Sequence, residues 1–111
     1  MKVNFKTGKV VELVDEYGPE QTLRAAELAD VPADMKYADS LILNMATIMV
    51  AVKTVDGKTA EDLCGDKVRA RDMLLAFRGA FTDSEWLGLA KAIGEVFPQD
   101  PKEASYEVVT S

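Results

Sequence analysis

No histidine occurs anywhere in this 111-residue chain, and cysteine occurs once. Without imidazole there is no Ser-His or Cys-His nucleophile pair and no ordinary imidazole-bearing zinc site. The single thiol, Cys64, has no internal disulfide partner. That fits a reducing compartment and predicts a small, semi-buried residue in a turn. Also missing are a Gly-x-Gly-x-x-Gly fingerprint and a phosphate-binding loop. Carboxylates are plentiful but scattered. Even Glu61 and Asp62, adjacent in sequence, would point apart on a helix. No acid–base or nucleophilic constellation can be named, so neither catalysis nor a cofactor is expected.

Long apolar runs are absent too. The most apolar stretch, Leu41 to Val52, is interrupted by Asn44 and Thr47 and is too short to span a membrane. The opening "MKVNFKTGKV" lacks the apolar core of a secretory signal. A cytoplasmic location without membrane contact is the expectation. At 48% hydrophobic and 29% charged residues, the chain reads as one globular domain with a single core, residues 1–97. Residues 98–111, "PQDPKEASYEVVTS", are polar and Pro-bearing and predict a mobile tail. Tyr106, Val108 and Val109 in that tail would add a strand if a sheet edge were available.

The charge that is present is unevenly placed. Net charge is −6. Between Glu12 and Asp39 eight acids face only Arg24 and Lys36, so this segment carries the whole imbalance and the remainder is neutral. Within that remainder Lys67, Arg69, Arg71 and Arg78 form a basic cluster. One reading is two solvated helix faces. The other is a charge dipole through which copies associate head to tail. A pI near 4.6 argues against nucleic-acid binding.

Patterning gives the elements. Val3 and Phe5 alternate with polar residues, "TG" follows, and Val11 and Leu13 resume the alternation, which predicts a β-hairpin. Pairing Phe5 with Val11 and Val3 with Leu13 would give one apolar face, with Thr7 to Lys9 as the loop. "YGPEQTLRAAELAD" predicts a helix opened by Pro19 and Glu20, with Leu23, Ala26, Leu28 and Ala29 inward. Pro32 is expected to open the next helix. There Met35, Ala38, Ile42, Met45, Met49 and Val52 recur at spacings of three and four, and Leu41 and Ile48 widen the stripe. That stripe is either core or a surface for a partner helix, to which adaptable methionines are suited. The helix is expected to stop near Val50 and leave through an extended segment to the Asp56-Gly57 turn. Thr59 then caps a short helix ending at Gly65.

The second half is better punctuated. A helix over Asp66–Arg78 places Ala70, Met73, Leu74 and Phe77 inward, and Gly79 closes it. In "FTDSEW", Thr82 and Glu85 have capping-box spacing, with Phe81 and Trp86 at the staple positions. A last helix therefore starts at Asp83, with Trp86, Leu89, Ala90, Ile93 and Phe97 inward. Gly88 and Gly94 weaken it unless another element packs closely there. The expected fold is α+β: an N-terminal β-hairpin followed by a compact bundle of about four to five helices.

This order of parts resembles the phage tail assembly chaperone families. The resemblance rests on "FKTGKVVELVDEYGPEQTLRAAELA", where a hairpin feeds a helix, on the long helix leaving at "VKTVDGK", and on "DSEWLGLAKAI". It implies a cytoplasmic assembly factor that binds the helical tape measure protein and helps tail-tube subunits polymerise around it. It implies no catalytic residues, and for some members a longer frameshifted form. Such a protein needs an apolar surface for an amphipathic helix and self-association along an extended client. Leu41, Met45 and Ile48 are the candidates for the first, and Lys67, Arg69 and Arg71 for the second. Two other classes stay open: a small acidic phage inhibitor or nucleic-acid mimic, motivated by Glu12–Asp39, and a tail or baseplate structural subunit.

Overall fold

A computed structural model describes residues 1–98 and 107–109. It shows an α+β fold in which a four-stranded antiparallel sheet, in the order β1-β2-β3-β4, joins five helices. The expected tail therefore lies largely outside the described residues, as does Tyr106. Val108 and Val109 are exposed and in no strand.

The N-terminal hairpin consists of β1 (Lys2–Asn4) and β2 (Val10–Leu13). Its register differs from the expectation by two residues, because Val3 faces Val11 rather than Leu13. The turn decides this. Phe5 N–H donates to the Lys9 carbonyl, and Gly8 N–H to the Phe5 carbonyl, each at 2.9 Å. The loop is thus Lys6-Thr7-Gly8, and Gly8 at its end has φ +97°. A three-residue hairpin loop needs a left-handed residue at that place, and glycine adopts it without steric cost.

Helix α1 (Pro19–Ala29) starts as predicted. Gln21 Oε1 accepts the Gly18 N–H at 2.9 Å. Its buried face is Ala25 and Ala29, however, and Leu23 is 65% exposed. Small residues let α1 lie close on α2, its principal neighbour, and that contact selects the alanine face over the leucine. Pro32 opens no helix. Helix α2 (Tyr37–Ala51) begins five residues later, where Asp39 Oδ2 accepts the Lys36 N–H at 3.0 Å. Met35 stays outside the helix, 47% exposed.

The stretch after α2 resolves into a real hairpin. β3 (Val52–Val55) and β4 (Lys58–Thr59) flank Asp56-Gly57, both at positive φ. β3 also pairs with β2, where the register slips between Glu12 and Leu13. The slip leaves Lys53 as the extra residue of a bulge. That is why Val52 and Val55, three apart, are both buried. Asp56 locks the pairing: its N–H donates to the Val10 carbonyl and its carboxylate accepts the Val10 N–H, both at 2.8 Å.

Thr59 caps α3 (Ala60–Cys64) as predicted, accepting the Asp62 N–H at 3.2 Å. Cys64 is buried and burial pushes its thiol up, so it is not a reactive thiolate. Helix α4 (Ala70–Gly79) starts four residues later than expected but buries Leu74 and Phe77. Helix α5 (Asp83–Val96) opens on the full capping box: Thr82 Oγ1 accepts the Glu85 N–H at 3.1 Å, and Glu85 Oε1 accepts the Thr82 N–H at 2.9 Å. Trp86 packs edge-on against Phe77 and Phe81.

Glu85 also reaches across to the hairpin. The Thr7 hydroxyl donates to it at 2.7 Å, and Lys9 pairs with it at 3.3 Å while also donating to the Ala80 carbonyl. The carboxyl is drawn down to about 2, first by the Thr82 backbone N–H and then by Thr7. A folded value below the unfolded one makes this contribution complete above about pH 4.3 and lost as the pH falls toward about 2. Between about pH 5 and about pH 2 the thermal midpoint should fall more steeply for the native chain than for Glu85→Gln. Circular dichroism melts that run parallel for the two proteins would refute this assignment.

Candidate functional site

Two cavities of different character open on the surface of the described residues. The smaller, about 270 Å³, lies between α1, the end of α2, β3 and α3. Both of its cations are paired: Arg24 with Glu61, which lowers the Glu61 carboxyl, and Lys53 with Glu12 at 3.4 Å.

The larger is an open groove of about 730 Å³ where the β2–α1 connection, α2 and the C-terminal half of α5 meet. Ile48 and Ile93 form its floor, both buried. The Tyr17 and Phe97 rings close one side, 5.9 Å apart and tilted. Burial pushes the Tyr17 hydroxyl up, with the Thr47 side chain acting against that. Asp15 and Glu16 stand exposed at the rim, and among the described residues no lysine or arginine lines the groove.

Leu41 is half exposed on α2, at 50%. Together with Asn44 and Ile48 it falls at i, i+3 and i+7, so one helix face runs from exposed Leu41 into the groove floor. Tyr37, a turn earlier and 80% exposed, extends that face. Met45 is partly buried against the core instead. Of the candidate trio only Ile48 lines the groove; Leu41 lies outside it on the exposed approach along α2, and Met45, one turn from Leu41, is partly buried. Ile48 serves as floor rather than ridge.

Lys67, Arg69 and Arg71 are exposed at the start of α4, and none of them lines the groove. Among the described residues none has an ion-pair partner. Arg78 leaves the cluster. Its guanidinium lies 4.9 Å over Trp86, donates to the Phe81 carbonyl and pairs with Asp83.

Residue pattern alone did not reveal Tyr17, Phe97 and Gly94 as groove residues. Gly94 was the available signal. The two helical glycines of α5 differ in surroundings. A Cβ on Gly88 would meet the Phe5 ring at 3.1 Å, whereas a Cβ on Gly94 would meet nothing within 4 Å. Gly88 thus accommodates the hairpin, and Gly94 leaves room in the groove wall that none of the described residues fills.

Chemically the groove offers apolar area and an acidic edge. Its described lining contains no cysteine, serine or lysine. Among the described residues there is no group of three metal-ligating side chains and no buried side-chain polar atom without a partner. No helix is long and apolar enough to cross a membrane. Comparison with protein-family models, curated proteins and solved structures finds no match to this chain.

Gly94→Ala should stabilise the fold by roughly 0.5–1 kcal/mol, the helix-propensity difference at an unobstructed site. Gly88→Ala should gain less or lose, because Phe5 must move. Urea midpoints of the two variants check the order, and a larger gain at Gly88 would overturn it.

Proposed function

We propose that the chain is a non-enzymatic tail assembly chaperone whose groove receives an amphipathic helix of the tape measure protein. The observation that carries the reading is the groove, apolar-floored and continuous with the exposed Tyr37–Leu41 face of α2. Helix-in-groove recognition uses apolar anchors one turn apart against such a surface. Polar ligands are disfavoured, since no buried side-chain polar atom among the described residues awaits a partner. The rim selects the partner's edge: Asp15 and Glu16, with no lysine or arginine beside them in the described groove lining, favour a helix bearing lysine or arginine beside its apolar stripe. The resemblance to tail assembly chaperones supplies the class of client.

Titration of a tape measure fragment by calorimetry tests this. Gly94→Leu fills the groove from an exposed position where an added Cβ meets no described atom within 4 Å, so the fold should persist. Leu41→Asp places a charge on the exposed face without touching the core. Each should weaken binding by about tenfold or more with helix content unchanged. Native affinity in the Gly94→Leu protein would overturn the assignment of the groove.

A further inference from the structure

Two features of this chain run against the local rules of helix stability. The first is the start of α4. The positive end of a helix dipole favours acids, and Asp72 in the first turn of α4 meets that preference, yet Lys67, Arg69 and Arg71 outnumber it there, and Arg69 occupies the cap position without a side-chain cap bond. None of the three has an ion-pair partner among the described residues. Between them Val68 is 89% exposed, and Leu75, one turn beyond Arg71, is 57% exposed. The second feature is Gly94, which weakens α5 and opens onto the groove, where an added Cβ would meet nothing within 4 Å among the described residues. Sequences break local rules chiefly where function compensates.

The two features are complementary. One is an apolar knob flanked by cations, and the other an apolar trough flanked by Asp15 and Glu16. We infer that the groove is occupied, when no client is bound, by the Lys67–Arg71 ridge of a second copy. This inference rests on the groove being the client site. Ridge and groove are different surfaces, so the contact is heterologous and each added copy presents a fresh groove or ridge. Self-association is then open-ended, and client and second copy compete for one place. The acidic segment supplies long-range attraction as well, since it carries the whole net charge of −6.

Sedimentation velocity on the full chain tests the inference. The native protein should show mass growing with concentration at about 0.01 M salt. That association should weaken by about tenfold or more at about 1 M, where the Debye length shrinks from about 30 Å to about 3 Å. The double variant Arg69→Glu/Arg71→Glu puts acids at the favourable end of α4, so it should fold and remain monomeric. It should also bind the tape measure fragment with higher apparent affinity than the native chain, at concentrations where the native chain associates. A native protein that stays monomeric at low salt and high concentration overturns the inference. So does a double variant that associates like the native chain. Gly94→Leu that loses client binding yet associates normally places the ridge elsewhere and overturns the inference while the client site stands. Client binding that is unchanged when Gly94→Leu is added to the monomeric double variant removes the client site itself.

Discussion

The carboxylate of Glu85 is the point on which the arrangement of sheet and helices turns. It is 5% exposed, and it closes the α5 capping box at Thr82 while accepting Thr7 and pairing with Lys9 of the hairpin loop. A buried carboxylate is tolerable only when its oxygens are satisfied. Thr7 and Lys9 lie 78 and 76 positions away in sequence. Satisfying Glu85 therefore fixes where the hairpin meets the α4–α5 corner. The same loop continues the contact, with Lys9 4.7 Å over the Phe81 ring and Phe5 against Gly88.

That anchoring explains why the groove exists. The N-terminal half of α5 is held by its capping box, by the aromatic packing of Trp86 with Phe77 and Phe81, and by Phe5 at Gly88. Its C-terminal half carries Ile93 into the core, and Phe97, just past its end, meets Tyr17 of the β2–α1 connection. With the first half fixed, Gly94 and Ala90 are too small to fill the space beside Ile48. A helix pinned at one end and thinly covered at the other leaves a trough, and α2 lends it a face that is apolar beyond what the core consumes.

Local chemistry was the legible part of the sequence. The Thr82–Glu85 box, the Thr59 cap and the inward faces of α4 and α5 follow from spacing alone, because each is settled within one or two turns. What depended on distant contacts was not legible. Nothing near Leu23 says that α1 packs through alanines, and nothing in "VKTV" says that a bulge at Lys53 turns both valines inward. The hairpin register was missed by two residues although its deciding signal, Gly8 at the end of the loop, was present. For the site, Leu41 and Ile48 emerged from a helical stripe, but the groove needed Tyr17 and Phe97, which lie on segments with no shared pattern. The basic cluster split because Arg78 found Trp86 and Asp83, a contact that only the folded corner creates.

The remaining cations then gain meaning by elimination. Arg78 shows that this chain uses arginine for packing where packing is available. Lys67, Arg69 and Arg71 lack such a role and stand at the helix end where their charge is unfavourable. Evolutionary drift alone would relax such a site toward neutral or acidic residues, since acids there add stability at no structural cost. Gly94 obeys the same logic, because alanine would strengthen α5 without obstruction. Each feature alone is a small destabilisation. Their opposite charge and matching apolarity give both a single physical explanation, a surface kept available for another polypeptide at the expense of helix stability.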